Sequence, residues 1–306
     1  MKKFKIIVPC YNEAKSLKLF YEELKEHITY SGYESEIIFV NDGSKDNTLN
    51  IIKELAQEDS RIRYISFSRN FGKEAAMYAG LKAAENSNCA VIIDGDLQHD
   101  PKIIKLMMEE YEKGFKLIYT RKQKRTESIF KKFILAIFYF IFRRVTKMKM
   151  EKGINDFQFL DQTVIKAYLE MTDNVRFLKG ISTYVGFTRK CLDISINKRI
   201  AGKGSWNYFK LFRYAFNGIN QFSQFLLFFP KLAIFLTVIG FFVNGFLFFQ
   251  EIITRGEFII LLQINIFAFL LFIILYFLFY LIYSLRKETI KRPLFLIEES
   301  SVNVEN

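Results

Sequence analysis

Short apolar runs alternate with amphipathic stretches over the first 120 residues of the chain. Runs typical of buried strands occupy residues 4–8, 36–40, 63–67, 90–93 and 117–120. Between them, apolar residues recur at helical spacing, which predicts a helix after each of the first four strands. This alternation predicts a parallel, doubly wound α/β sheet, in which ligands bind outside the carboxyl ends of the strands.

The pattern changes after residue 120. A ten-residue apolar block at 133–142 lies between two pairs of basic residues, and it is too short to cross a bilayer core of about 30 Å. Its basic flanks favour a helix lying in the membrane interface, with a core helix as the alternative. Further on, residues 155–161 and 187–196 predict strands around a helix at 163–171, and residues 208–222 predict an amphipathic helix.

Two apolar segments, 232–249 and 258–283, contain no charged residue and are long enough to span a membrane. Four basic residues follow the second segment between positions 286 and 292, whereas the connecting loop contains only Arg255. The excess of positive charge predicts a multi-pass protein of the cytoplasmic membrane with both termini in the cytoplasm. The first residues lack a sustained apolar run, so we expect no signal peptide.

Composition narrows the chemistry. The 35 phenylalanines among 306 residues are many for a soluble protein, which again indicates a membrane. The three cysteines lie far apart, which disfavours a disulfide framework or a zinc site. With only His27 and His99, a multi-histidine metal centre is excluded, and we expect His99 to be a solvated residue. Oxygen ligands must therefore carry any metal chemistry.

The positive charge is concentrated in the middle of the chain. The net charge is +12 overall, +14 over residues 121–229, −2 over residues 1–120 and zero over the rest. Nucleic acid, anionic lipid or a phosphorylated substrate would each suit such a segment. Nucleic acid is the least favoured partner, because Phe-rich blocks interrupt the basic residues and the acidic crevice would repel phosphate without a metal.

An acidic pair, Asp94 and Asp96, follows the predicted strand at 90–93. Residues two apart in an extended segment point to the same side, so both carboxylates could reach one Mg²⁺ or Mn²⁺ bound to a nucleotide diphosphate. The alternative is an ordinary solvated turn, because this spacing also arises by chance. Polar loops at 9–13 and 42–44 also follow strands, so three loops should meet in one crevice.

Four motifs occur in order: PCYNE at 9–13, NDGS at 41–44, RNFGKE at 69–74 and DGDLQ at 94–98. Together they resemble the signatures of family-2 glycosyltransferases of the GT-A fold. More narrowly they resemble the polyprenyl-phosphate group, which includes bactoprenol glucosyltransferases and dolichol-phosphate mannose synthases. The resemblance implies inverting transfer of one sugar from a nucleotide-sugar, most readily a UDP-sugar, to undecaprenyl or another polyprenyl phosphate at the cytoplasmic face.

The resemblance also assigns roles to matching positions. Those that would bind the nucleotide-sugar are Pro9, Tyr11, Glu13, Asp42, Lys73, Asp94 and Arg121, with Asp42 accepting from the base and Arg121 near a phosphate. The metal ligands would be Asp94, Asp96 and Gln98. The catalytic group would comprise Asp156, which faces the acceptor phosphate and the anomeric carbon, with Asp96, Arg199 and Lys203. The acceptor phosphate would be held by Lys131, Lys132 and Arg199.

Simpler readings remain beside these roles. The Asp42-Gly43 pair is also a common turn, Asp156 is also a possible helix cap, and Lys131 and Lys132 also suit lipid headgroups. The sequence departs from the family at Gln158, where an arginine is usual, and at residues 204–206, where Gly-Ser-Trp replaces Ser-Lys-Tyr. The Q-x-x-R-W motif of processive synthases is absent, which argues against polymerisation.

The expected organisation has four parts. Residues 1–120 would bind the nucleotide-sugar, 121–229 would contain the acceptor and membrane-interface part with amphipathic helices, 230–285 would form a two-helix transmembrane hairpin, and 286–306 a cytoplasmic tail. The amides in the hairpin suit packing between subunits of a homo-oligomer. Two alternatives stay open: transfer to another lipid acceptor, and a catalytically silent scaffold that binds nucleotide-sugar.

Overall fold

The structure, a computed structural model, describes residues 1–122, 140, 143–144, 154–171, 178–195, 228–289 and 293–304. The chain divides into two units, Met1–Gln221 with Pro293–Asn306, and Phe222–Arg292. The predicted amphipathic helix at 208–222 and nearly all of the interfacial block at 133–142 lie outside the described residues, and both stay predictions.

Eight strands in the described part of the first unit form one sheet. They are β1 (Lys2–Cys10), β2 (Tyr33–Asn41), β3 (Ile62–Phe67), β4 (Cys89–Ile92), β5 (Leu117–Lys122), β6 (Ile154–Asp161), β7 (Arg189–Ile194) and β8 (Ile297–Ser300). Their order across the sheet is β7-β5-β6-β4-β1-β2-β3-β8. The first five strands match the apolar runs seen in the sequence, each within a few residues.

The sheet is mixed: the strands predicted within residues 1–120 run in one direction, as expected, but two other strands run against them. β1 pairs in parallel with β2 and β4, and β2 with β3, as predicted. However, β6 runs antiparallel to both β4 and β5, and β8 runs antiparallel to β3. Apolar patterning reports burial and period but carries no information about the direction of a strand, so it did not predict that β6 and β8 are antiparallel.

Helices cover both faces of this sheet, which confirms the doubly wound α/β fold. They are α1 (Leu17–Lys25), α2 (Thr48–Glu58), α3 (Lys73–Ala83), α4 (Ile103–Glu112), α5 (Gln162–Glu170) and the unpredicted α6 (Leu178–Tyr184). In β1, Phe4, Ile6 and Val8 join the core formed with α1, α2 and α4. Ile7 points the other way, against α3. A side chain on Gly80 of α3 would lie 2.2 Å from Ile7 Cγ2, so this glycine allows α3 to pack closely on the sheet.

The described part of the second unit contains two helices, α7 (Phe228–Phe249) and α8 (Arg255–Thr289), which pack against each other. A capping box begins α8: Thr254 N donates to Glu257 Oε2 (2.8 Å), and Glu257 N donates to Thr254 Oγ1 (3.3 Å). Asn265 Nδ2 donates to Leu261 O within the same helix. Both helices are long and apolar enough to cross a membrane.

Candidate active site

Loops at the carboxyl ends of β1 and β2 are joined by hydrogen bonds. Asn12 N donates to Ser44 Oγ (3.0 Å), and Lys45 N donates to Asn12 Oδ1 (2.8 Å). Asn12 has a φ of 56°, a left-handed conformation that asparagine tolerates better than most residues. The two loops predicted to meet in one crevice therefore do meet.

The predicted nucleoside-binding residues lie along the first of these loops. Pro9 is buried at the end of β1, and Tyr11 is 42% exposed. Glu13 is fixed at both ends, because its backbone N donates to Thr48 Oγ1 (2.9 Å) and its carboxylate accepts from Ser16 Oγ (3.0 Å). Tyr11 thus offers an accessible aromatic ring beside a rigid loop, which suits stacking with a base.

Asp42 connects the β2 loop to the loop that follows β3. Its carboxylate accepts from Phe71 N (2.7 Å), Gly72 N (3.0 Å) and Asn70 Nδ2 (2.9 Å). The residue is only 3% exposed, and burial raises the pKa of Asp42 to about 6 although the two backbone N–H groups act in the opposite direction. Its contact with a base stays a prediction; in the structure it organises the 69–73 loop.

Gly43 lets the same two loops approach each other. It has a φ of 59°, and a Cβ at this position would lie 2.3 Å from the backbone carbon of Arg69. A side chain at this position would therefore strain the backbone. It would also collide with main-chain atoms, which cannot rotate away as a side chain can. Asp42-Gly43 can therefore form a turn and also belong to the predicted nucleotide-sugar site.

Lys73, the first residue of α3, lies between two acidic residues from different strands. Its Nζ is 2.6 Å from Asp94 Oδ1, 2.8 Å from Asp94 Oδ2 and 2.8 Å from Asp156 Oδ2. Desolvation lowers the pKa of Lys73, but the carboxylates of Asp156 and Asp94 outweigh it and raise the pKa above its ordinary value. The lysine is therefore charged at neutral pH and forms ion pairs with both carboxylates.

This arrangement brings Asp156 to the loop that carries Asp94, although the two residues are far apart in sequence. Asp156 lies within β6, which pairs with β4 through Ile92 and Gln158. The cap alternative for Asp156 is wrong, because the residue is inside a strand and the N-cap of α5 is Asp161. The sequence motif assigned Lys73 to the nucleotide-sugar but gave no sign of this double ion pair.

Asp96 is buried, with 3% of its surface exposed, and its Oδ1 accepts from Gln98 N (3.1 Å) across a tight turn. Leu97 within the turn has a φ of 59°. Within the described residues, no three His, Cys, Asp or Glu side chains are grouped closely enough to hold a metal. Two carboxylates completed by substrate phosphates and water are nevertheless typical for Mg²⁺, and the oxygen donors of Asp94 and Asp96 fit such an ion.

His99 is not the solvated residue that the sequence suggested. It is 5% exposed, and its ring centroid lies 5.3 Å from that of Phe157 on β6. Burial lowers its pKa and favours the neutral ring, and no described residue hydrogen-bonds to its buried Nδ1. The sequence around His99 does not predict its burial, because the burial comes from a strand nearly sixty residues later in the chain.

Arg121 at the end of β5 forms a two-pronged ion pair with Asp193, its register partner on β7. The distances are 2.6 Å from Nε to Oδ1 and 2.9 Å from Nη2 to Oδ2, and the pair is exposed. The guanidinium lowers the pKa of Asp193. The sequence reading placed Arg121 near a phosphate and overlooked Asp193; the phosphate contact stays a prediction.

Gln158, which departs from the family pattern, is fully buried in a neutral polar cluster. Its Oε1 accepts from Ser182 Oγ (3.0 Å), and Ser182 also accepts from Tyr168 Oη (2.7 Å). The amide therefore has hydroxyl partners from α5 and α6, in an environment that would make an unpaired arginine costly.

The remaining predicted residues, Lys131, Lys132, Arg199 and Lys203, lie outside the described residues.

Comparison with known proteins gives this site a context. Residues 5–169 match the family model described as glycosyl transferase family 2. An uncharacterized glycosyltransferase of Synechocystis, sll0501, is 35% identical over 219 residues, which are 71% of this chain and 69% of that protein. The bactoprenol glucosyl transferase of Shigella phage SfV is 33% identical over 224 residues, 73% of each chain. Alignments with such relatives span 66% to 73% of their lengths.

A solved structure shares the fold. The crystal structure of S. aureus TarS 1-349 in complex with UDP-GlcNAc superimposes with a TM-score of 0.50 at 14% identity. The match covers 72% of this chain and 66% of that one. At this identity the likeness shows the GT-A architecture alone.

Proposed function

The chain belongs to glycosyl transferase family 2, and from this premise we propose that it transfers one sugar from a nucleotide-sugar to a polyprenyl phosphate. The preferred donor is a UDP-sugar, and the acceptor is undecaprenyl phosphate or a similar lipid. The observation that carries the proposal is the Asp94–Lys73–Asp156 cluster. It lies at the carboxyl end of β4 and joins a predicted donor-binding acid to a predicted acceptor-facing acid.

The donor end of the site is supported by the loops after β1, β2 and β4. Tyr11 offers a ring to the base, and Asp42 lies in the adjoining loop with a carboxylate fixed by backbone amides. Asp94, Asp96 and Gln98 would hold Mg²⁺ or Mn²⁺, which when bound offsets negative charge on the leaving diphosphate. Lys73 must release Asp94 for that purpose, and it retains Asp156 as a partner.

The reaction proposed is a direct displacement. An oxygen of the acceptor phosphate forms a bond to the anomeric carbon while the bond from that carbon to the diphosphate breaks, and the electron pair leaves with the diphosphate. The configuration at the carbon inverts. A phosphate monoester is already ionised near neutral pH, so no strong general base is required. Asp156, paired with Lys73, would orient the reacting groups.

A cytoplasmic membrane location is part of the proposal. The helices α7 and α8 are apolar enough to span a bilayer, and the chain before and after them belongs to the same unit. Two crossings of the bilayer would return the chain to the side of the membrane from which it started, as this shared unit requires. The positive charge of residues 121–229 would favour anionic lipid and an anionic acceptor, and the basic residues after α8 favour cytoplasmic termini.

Transfer of labelled sugar from a panel of UDP-sugars to undecaprenyl phosphate tests the proposal. The assay uses membranes containing the full chain, with Mg²⁺ or with a chelator. We expect transfer that the chelator abolishes and that Asp96→Asn reduces at least about 100-fold. Asp100→Asn is the matched control, since Asp100 lies in the same loop but pairs with Lys102.

Each other outcome contradicts a defined part. Equal transfer by the wild type and Asp96→Asn would overturn the metal assignment. Transfer of the sugar to a different lipid would show that the proposed acceptor is wrong. If no donor is consumed, the alternative of a catalytically silent scaffold is favoured.

A further inference from the structure

The segment that follows the second apolar helix returns to the sheet beside the candidate active site. Phe295 is 2% exposed, and its ring stacks on Phe67 at the end of β3 with centroids 4.9 Å apart and planes 13° apart. Its ring also packs in a T-shaped arrangement with that of Tyr78 of α3, with centroids 6.4 Å apart. An aromatic side chain from residues 293–301, the C-terminal segment, thus fills the space between β3 and α3.

Hydrogen bonds fix the C-terminal segment along β3. Ser68 N donates to Leu296 O (3.0 Å), Ser301 N donates to Tyr64 O (2.9 Å), and Tyr64 N donates to Ser301 Oγ (2.8 Å). Lys53 of α2 adds an ion pair to Glu299 at 2.6 Å. These contacts cover an edge of the sheet that would otherwise offer unpaired backbone groups.

The loop that leads into Lys73 begins where this contact ends. Phe67 meets the Phe71 ring edge-on at 5.8 Å, and the guanidinium of Arg69 lies 4.1 Å from the centre of the same ring. Asp42 holds the Phe71 and Gly72 amides from the other side. The loop therefore has two supports, one from the β2 loop and one that passes through Phe67 to Phe295.

We propose that Phe295 is a positioning residue for the donor site: by packing on Phe67 it sets the 69–73 loop and thereby the place of Lys73 between Asp94 and Asp156. The inference rests on the proposed function for its kinetic consequence. The chain leaves α8 at Thr289 and Pro293 already belongs to the catalytic unit.

Phe295→Ala tests this role in the full-length protein. Loss of the ring leaves a cavity next to Phe67, and we expect the KM for the nucleotide-sugar to rise about tenfold, because small displacements of positioning groups have effects of this order. Phe295→Leu, which keeps apolar volume, should restore most of the loss. A merely structural residue would lower the amount of active protein, and hence the apparent kcat, with KM unchanged.

A readout independent of catalysis accompanies the kinetics. Ser68, Arg69 and Asn70 are exposed, so trypsin can reach the bond after Arg69 when the loop opens. We expect cleavage there to become about tenfold faster in Phe295→Ala. The stability control is Met108→Ala, since Met108 is buried in a core cluster that contains neither Phe67 nor Phe295. It should lower the melting temperature without changing KM or cleavage after Arg69.

The outcomes separate this inference from the proposed function. If the wild type transfers sugar and Phe295→Ala leaves both KM and cleavage after Arg69 unchanged, Phe295 is not a positioning residue. If Met108→Ala changes both as strongly, general destabilisation explains the effect and the inference fails. If the wild type transfers no sugar yet cleavage after Arg69 still responds only to Phe295→Ala, the proposed function fails while the support of the loop stands.

Discussion

Lys73 and Asp156 are 83 positions apart in sequence, yet their side chains form a 2.8 Å ion pair at the carboxyl end of the sheet. The pair exists because α3 packs tightly on β1 and β2 while β6 inserts beside β4. Since Lys73 also holds Asp94, one ammonium group neutralises part of the charge of two acids. The site is thereby organised around a cation that belongs to the protein itself.

Lys73→Met should separate the two functions of this ammonium group. Without it, Asp94 and Asp156 repel each other and Asp156 loses its orienting partner, so we expect sugar transfer to fall about 100-fold or more. At the same time Asp94 loses a competitor for its oxygens. Binding of Mn²⁺ without donor, followed by electron paramagnetic resonance, should therefore become tighter.

The matched control for this variant is Lys82→Met, which removes a lysine from the last turn of the same helix. It should change neither transfer nor Mn²⁺ binding. Weaker Mn²⁺ binding in Lys73→Met would mean that the lysine arranges the metal ligands and does not compete with the ion.

Gly43→Ala should damage the site through its backbone. The new methyl group would combine a left-handed φ with a contact at 2.3 Å from the Arg69 backbone. Gly32→Ala is the control, because Gly32 has a φ of 82° but nothing within 4 Å. We expect Gly32→Ala to cost about 1–2 kcal/mol in the free energy of unfolding and Gly43→Ala clearly more.

Thermal unfolding of both variants, together with titration of UDP, measures this difference. Only Gly43→Ala should also weaken UDP binding, because only that change moves the 69–73 loop. Equal losses of stability and unchanged UDP binding in both variants would refute the account of this close approach.

The raised pKa of Asp42 predicts a pH effect on stability. Because the folded chain binds this proton up to about pH 6 whereas the unfolded chain releases it near its ordinary pKa, the contribution of Asp42 falls as pH rises between about 4 and 6. The loss should be about 3 kcal/mol and constant above that window. Chemical unfolding of the wild type and Asp42→Asn at pH 4.5 and 7.5 measures it.

The wild type should be more stable relative to Asp42→Asn at the lower pH than at the higher one. The reverse trend would show that the hydrogen bonds from Phe71 and Gly72 outweigh burial and lower the pKa of Asp42.

The Arg121–Asp193 pair allows a test of the predicted phosphate contact. Because the pair is exposed, Asp193→Asn should leave the melting temperature nearly unchanged. If Arg121 serves a substrate phosphate, Asp193→Asn should preserve kcat/KM, whereas Arg121→Gln should lower it about tenfold. Steady-state kinetics with both substrates distinguishes them. Similar losses in both variants would make the ion pair itself the important feature.

The sequence predicted most of the fold because the elements that position the site have strong local signals. Buried runs at β1 and β4 and the helical spacing of α1 fixed those elements to within a few residues. Weak signals failed. β8 has only four residues that alternate between partly buried and exposed, and its place in the sheet depends on pairing with β3, more than two hundred residues earlier.

The site was predictable in its residue types and less so in its contacts. The acidic pair and the RNFGKE motif pointed to Asp94 and Lys73, but a motif does not report which side chains meet across strands. The burial of His99 depends on β6, and the pairing of Arg121 with Asp193 depends on β7. The positions of both strands in the sheet are set by tertiary packing. These contacts therefore depend on long-range packing, which a local sequence pattern does not report.

The central claim is that a single sugar moves from a nucleotide-sugar to a polyprenyl phosphate. Its most direct test is mass spectrometry of undecaprenyl phosphate after incubation with the full-length protein, Mg²⁺ and each of a panel of UDP-sugars. We predict that one donor adds the mass of one sugar residue to the lipid and releases one UDP for each lipid modified, and that Asp156→Asn abolishes both. Release of UDP without any gain of mass by the lipid, or no consumption of any donor, would contradict the account.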